Sequence, residues 1–222
     1  MKVAGLSAGV WAGQAAYRGW TLPCYDLVVF GVNCPFAWRI PVAELLALFE
    51  RNLAGEHLDV GVGTGYLLDR CRKPAGRQAI TLADLNPQAL RCAARRLARY
   101  EVVAVRADAL EPLPLPAGAF GSASVNFLLH CLPGPMAAKA RVLDHVAACV
   151  RPGGRVFGAT VLSAGVPVGA FGRAELALFN AVGVFHNRGD GPAGLRAELA
   201  ARFPVHRVQV RGCVALFEAQ VP

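Results

Sequence analysis

Read for the alternation of apolar and polar positions, the chain changes texture near residue 56. Before that point apolar residues recur at helical spacing and no stretch alternates as a strand would. Leu45, Leu46, Leu48 and Phe49 follow Pro41, a residue suited to opening a helix. The apolar and aromatic run over residues 25–38, interrupted by Asn33 and Pro35, predicts a short helix and then a turn. From His57 onward strand-like and helix-like runs take turns, the order of a parallel sheet with crossover helices.

Strands are predicted at 58–62, 79–83, 102–106, 122–127 and 155–161, with a terminal antiparallel hairpin at 205–210 and 214–219 around Arg211-Gly212. A helix is expected from the glycines to about residue 72, and another from Pro87 behind its cap Asn86. Further helices are expected at 135–150, stopped by Arg151-Pro152-Gly153-Gly154, and at 171–182 and 192–203. The expectation is one α/β domain over 1–222: a helical cap or lid over 1–55 and a core over 56–222 with seven strands, mostly parallel.

Composition changes this picture little. Hydrophobic residues make up 55% and charged residues 17% of the 222, the balance of a globular chain. No apolar run reaches the roughly 18 residues that span a bilayer, so no membrane association is expected. Lys2 and the residues to Ala16 loosely imitate a secretion signal, but Ala, Gly and Gln14 give them a weak apolar centre. A cytoplasmic location is expected. The seven cysteines are scattered without a C-x-x-C pair, which predicts reduced, mostly buried thiols and no metal. Net charge is +8, and the densest basic run (Arg91, Arg95, Arg96, Arg99) lies at helical spacing. Such a run reads as a solvated helix face, so nucleic acid is not expected as a partner.

The chemistry concentrates in Leu58-Asp59-Val60-Gly61-Val62-Gly63-Thr64-Gly65-Tyr66. An acidic residue ends a strand, and alternate glycines let the backbone bend sharply against a bulky ligand. The dinucleotide fingerprint is G-x-G-x-x-G; here the spacing is G-x-G-x-G with Tyr66 at the third fingerprint position. Asp59 also suits a cationic amino-acid group better than a pyrophosphate.

In this segment the chain resembles the class I S-adenosylmethionine-dependent methyltransferases, whose D/E-x-G-x-G-x-G motif holds the methionine portion of the cofactor. The resemblance implies a Rossmann-like fold, S-adenosylmethionine as cofactor and S-adenosylhomocysteine as by-product. It implies that Asp59, Gly61, Gly63, Thr64 and Gly65 line the methionine side. Asp84, followed by Leu85 and Asn86, matches the acidic residue that binds both ribose hydroxyls; a carboxylate can accept two such bonds. Asp108-Ala109 matches the position that accepts from the adenine amino group, and Arg151 to Val156 resembles the family's turn into the fifth strand. Asn126, Phe127 and, from the cap, Tyr17 complete the expected cofactor contacts.

Where relatives that methylate adenine bases carry [D/N]-P-P-[Y/F], this chain has Asn126-Phe127-Leu128-Leu129. That departure points away from bases and towards a small, hydrophobic or aromatic metabolite as acceptor, at oxygen, nitrogen or carbon. Methylation of RNA or protein, and a non-methylating use of the cofactor, are the alternatives. Substrate contacts are expected from Tyr25, Trp38, His130, Phe171 and His186. His130 is the candidate general base; the alternative is a histidine that fixes its loop by a backbone hydrogen bond. His186 is read either as part of a substrate lid or as an ordinary surface-loop histidine. A homodimer is the expected assembly.

Overall fold

The computed structural model describes residues 25–222, so Tyr17 and the first part of the expected cap lie outside the described residues. The first element among the described residues is a π-helix, Leu27–Ala37, with Pro35 inside it. The predicted break at Pro35 does not occur. The wide turn carries the chain on and closes with the Trp38 N–H on the Asn33 carbonyl at 2.7 Å. Helix α1, Val42–Asn52, follows Pro41 and buries Leu45, Leu48 and Phe49.

The strands are β1 (Glu56–Val60), β2 (Ala79–Asp84), β3 (Glu101–Arg106), β4 (Phe120–Asn126), β5 (Val150–Val161), β6 (Val205–Arg211) and β7 (Val214–Gln220). They form one sheet in the order β3-β2-β1-β4-β5-β7-β6. Strands β1 to β5 are parallel, and the β6–β7 hairpin joins antiparallel to β5 through β7. Between them run α2 (Tyr66–Arg70), α3 (Pro87–Arg96), α4 (Met136–Lys139), α5 (Arg141–Cys149), α6 (Ala170–Ala181) and α7 (Pro192–Arg202). This is the expected mostly parallel, seven-stranded Rossmann-like sheet flanked by helices.

The local differences have physical causes. Strand β1 stops at Val60, earlier than its apolar run suggests, because Gly61 already turns with φ +74°. The helix expected over 135–150 is divided at Ala140 into α4 and α5. Arg151-Pro152-Gly153-Gly154 does end α5, but the residues join β5, with a register shift between Phe120 and Ser122 absorbing the irregularity.

Two apolar cores cover the two sheet faces. One gathers the π-helix, α1, α2 and α3 around Leu45, Phe49, Leu68 and Phe157. The other packs α5 and α7 on Leu58, Val125, Leu143 and Phe217. β1 and β4 are neighbours whose crossovers lead to opposite sides of the sheet, so a crevice opens at their carboxyl ends. Ligands of open α/β sheets bind at such a switch point. Among the described residues no single helix is long and apolar enough to cross a membrane.

Candidate active site

The crevice holds two small cavities that share a wall. The larger, about 90 Å³, is lined among others by Asp84, Leu85, Asn86, Asp108 and Ala109. The smaller, about 40 Å³, is lined by Asp59, Gly63, Thr64, Gly65, Asn126 and Tyr25, among others. Gly61 and Phe127 line both. All described residues expected to touch the cofactor therefore surround one cleft.

The glycine loop is shaped for close approach. Gly61 sits at φ +74°, and a Cβ there would meet three Leu128 carbons at 3.1 Å. Gly65, also at +74°, would drive a Cβ against Ala93 of α3 at 3.2 Å. An L side chain at either position is strained as well as crowded. Phe127 takes the same left-handed region, at φ +52°, although it has a side chain. Its N–H is tied to the Ala159 carbonyl at 2.7 Å, and its ring packs on Trp38 at 5.1 Å between centroids. Packing and pairing thus hold a conformation that costs about 1–2 kcal/mol in isolation.

The carboxylates differ in their surroundings. Asp59 is 5% exposed, and burial pushes its carboxyl up to about 7; a 2.5 Å hydrogen bond from the Ser124 hydroxyl opposes this, and the charge of Asp84 adds to it. Asp84 is pushed up to about 6 by burial, against backbone N–H groups of Asn86, Val62, Gly63 and Leu85. Of these, Asn86 N–H donates to its Oδ1 at 2.7 Å. Asp108 Oδ1 accepts from the Leu110 N–H at 3.0 Å, which fixes the carboxylate at its strand end. Both polar atoms of the Asn126 amide are buried and have no hydrogen-bond partner. An orphaned amide facing a cleft implies that a ligand satisfies it.

Three residues outside the motifs secure the loop. Asp26, just before the π-helix, accepts from the Thr64 hydroxyl at 2.5 Å and from the Arg96 guanidinium at 2.6 Å. Arg96 therefore turns inward from α3 and departs from the solvated face that the spacing of basic residues suggested. Phe30 stacks on Tyr66 with 4.2 Å between centroids.

On the acceptor side the structure corrects several expectations. His130 is 2% exposed and lines neither cavity. Its Nδ1 accepts from the Val161 N–H at 3.2 Å and lies 3.3 Å from the Thr160 hydroxyl. Burial, with the charge of Lys139, lowers its pKa to about 3, so the ring is a weak base, and its bond from the Val161 N–H matches the loop-fixing alternative. Phe171 lies in the first turn of α6, 53% exposed and away from both cavities. His186 lines a separate hollow with Asp190 and Arg188; its N–H donates to the His130 carbonyl and its own carbonyl accepts from buried Lys139. Trp38 is one layer behind the cleft, where its Nε1 donates to Glu175 at 2.7 Å and its ring backs Phe127. Tyr25 is the described substrate candidate that reaches the cleft. Leu113, Leu128 and Leu132, which sequence reasoning passed over, close the larger cavity. Their signal was their place in the apolar segments that follow β3 and β4.

Fold and cleft together define an α/β protein that binds a nucleoside linked to an amino acid. The methyltransferase domain family matches residues 58–156. Over 207 residues the chain is 48% identical to demethylluteothin O-methyltransferase of Streptomyces thioluteus, covering 93% of this chain and 90% of that one. Over 212 residues it is 40% identical to the physcion biosynthesis cluster O-methyltransferase of Aspergillus chevalieri, covering 95% of each. Among solved structures, N-methyltransferase NodS from Bradyrhizobium japonicum, in complex with S-adenosyl-L-homocysteine, shares the fold. Its TM-score is 0.58 at 17% identity, over 81% of this chain and 85% of that one. The chain belongs to the class I S-adenosylmethionine-dependent methyltransferases. S-adenosylmethionine is its cofactor, and its activity is methyl transfer to a small molecule. The cleft fits that cofactor on its own chemistry, with glycines where a Cβ would intrude, carboxylates for a diol and an ammonium, and an unsatisfied amide between them.

Proposed function

We propose that the enzyme O-methylates an enolic or phenolic hydroxyl of a small hydrophobic metabolite, without a general base of its own. The observation that carries this reading is the insulation of His130 behind Phe127, in a cleft where the Asn126 amide is buried without a hydrogen-bond partner. An acceptor acidic enough to lose its proton to solvent before it binds reacts as the phenolate or enolate, so the enzyme needs to orient it and need not remove the proton. The O-methyltransferase names of relatives at 48% and 40% identity support oxygen as the methylated atom and secondary metabolism as the setting.

Bound S-adenosylmethionine supplies a methyl group on a positively charged sulfur. The chain's residues do the positioning: Asp84 and Asp108 hold the nucleoside, Asp59 holds the ammonium, and Phe127 and Tyr25 wall off water. Asn126, whose buried amide is unpaired in the wall of the cleft, would donate an N–H to the acceptor oxygen and help orient it for in-line displacement. We further propose that the enzyme is a cytoplasmic homodimer with no nucleic-acid partner; elution of the full chain at the monomer's volume would refuse the dimer.

The test is incubation with labelled cofactor and a panel of phenols, enols, amines and RNA. Labelled methyl ethers are expected, with rates that follow the acidity of the acceptor hydroxyl. Label confined to amines or RNA would overturn the proposal.

A further inference from the structure

Beneath the cleft a file of polar groups crosses an otherwise apolar core. Register pairs His57 of β1 with Ser122 of β4, and Asp59 with Ser124, so the four side chains make a compact patch on one face of the sheet. Ser122 and Ser124 have no exposed surface and His57 is 1% exposed. The His57 ring is stacked 5.7 Å from Phe157 and meets Phe49 edge-on at 6.3 Å.

The hydrogen bonds of this patch run in one direction. The Ala54 N–H donates to Ser122 Oγ at 2.9 Å. Ser122 Oγ and His57 Nδ1 are 2.8 Å apart, and His57 Nε2 and Ser124 Oγ are 3.0 Å apart. Ser124 Oγ then donates to Asp59 Oδ1 at 2.5 Å. A backbone N–H can only donate and an ionised carboxylate can only accept, so every hydrogen between them points towards Asp59. His57 is then the neutral tautomer with its proton on Nε2. Burial lowers its pKa to about 3, in agreement with a ring that stays neutral.

We infer that His57, Ser122 and Ser124 are positioning residues whose one-way hydrogen-bond file orients Asp59 and favours its ionised form for the cofactor's ammonium group. The inference rests on the reading that Asp59 binds that group. With Oδ1 held from below by Ser124, Oδ2 is left to face the cleft. Bonds within such a file polarise one another, so each link strengthens the last.

The titratable groups around Asp59 sharpen what the file must do. Asp84 on β2 pushes its carboxyl up, as does burial, and Ser124 is the one group pulling it down. Cys71 beyond α2 is a raised, neutral thiol, and His57 is neutral. Lys73 acts on His57 and Cys71, and Tyr25 and Tyr66 border the cavity from the cap and from α2. Removing the Ser124 hydroxyl therefore shifts Asp59 towards protonation, and the cofactor loses its counter-charge as pH falls.

Calorimetric binding of S-adenosylhomocysteine to the full chain from pH 5.5 to 8.5 tests this. At pH 6 Ser124→Ala is expected to bind about tenfold more weakly. Its affinity is also expected to begin falling at a pH about one unit higher than in the native enzyme. Ser122→Ala, two links further away, is expected to move the profile in the same direction by less. His57→Gln keeps one donor and one acceptor and is expected to restore most of the affinity that His57→Phe loses. Turnover at saturating cofactor stays within about twofold throughout, since uniform binding leaves kcat unchanged. An affinity loss in Ser124→Ala that is the same at every pH, or a His57→Gln no better than His57→Phe, would mark the patch as packing and overturn the inference. Asp59→Asn separates the two levels. Unchanged affinity in that variant refutes the Asp59 reading, and the inference with it. Lost affinity in Asp59→Asn with none in Ser124→Ala refutes the file alone.

Discussion

The cofactor side and the acceptor side of the cleft are built by different means. Asp59, Asp84 and Asp108 stand at the ends of adjacent parallel strands or just beyond them, so the order of strands alone brings them to one edge. The acceptor side depends on how the π-helix, α6 and the loop after β4 pack on one another, and no short motif encodes that. The former is written in local residues and the latter in long-range contacts. Substitutions should therefore act sharply and separably on one side, and through packing on the other.

The largest effect is expected from Gly61→Val. A branched side chain at φ +74°, against Leu128, should abolish measurable binding of S-adenosylhomocysteine by calorimetry. Retained binding would mean that the loop does not shape the cleft. Next comes Asp84→Ala, for which a roughly 100-fold loss of affinity is expected from two charge-assisted bonds to a diol. The melting temperature should hardly change, because the variant also relieves a desolvated carboxylate. A parallel collapse of stability would make Asp84 structural and erase the contrast between the two sides.

On the acceptor side, His130→Ala should cost about 2–4 kcal/mol of stability in denaturant unfolding, as a buried ring leaves a cavity and an unpaired Val161 N–H. Turnover of the folded fraction at saturating substrate should fall less than about threefold. A loss of several hundredfold would reinstate His130 as the base. Phe171→Ser, at an exposed position, should leave both cofactor affinity and turnover as they were, and a changed KM for the acceptor would show that the pocket extends to α6.

The smallest effect concerns pH. His57 and His130, lowered to about 3, bind fewer protons folded than unfolded, so their contribution is full above about pH 6.5 and is lost as pH falls towards 3. Asp59 and Asp84, raised to about 7 and 6, act oppositely: their contribution is full below about pH 4 and is lost as pH rises through those values. Glu175, raised to about 7 by burial, acts in the same sense as the two aspartates. Between pH 4.5 and 6.5 the two histidines oppose three carboxyls, so the stability of the native enzyme should rise modestly on acidification. His130→Phe removes one of the two opposing groups, so its unfolding free energy should rise more steeply through that window. A curve parallel to that of the native enzyme would show that the histidine is not held neutral.

Alternation and turn chemistry were enough to place the seven strands, since a parallel sheet needs buried runs bounded by glycine, proline and capping residues. The π-helix was not legible, because Pro35 breaks an α-helix but fits a wider turn. The two histidines could not be placed from sequence for a related reason. His130 follows a strand whose end faces the cleft, yet Trp38 and Phe127 come between it and the cleft, and His186 lines a separate hollow. Arg96 looked like its neighbours at helical spacing, and only the position of Asp26 shows that it turns in. The His57 to Asp59 file was visible as two polar residues two apart on each of two buried strands. Its meaning needed the register that sets them opposite each other.

Phe127 belongs to both cavities, in a backbone conformation most side chains avoid. A lineage adapting to a new acceptor therefore cannot vary this residue freely, because any change also remodels the seat of the methyl donor. Change for a new acceptor is expected at residues outside the shared wall, such as Tyr25. Replacements at Phe127 become tolerable only after compensating changes at Trp38 or Gly61, so the order in which mutations arrive decides which substrates can be reached.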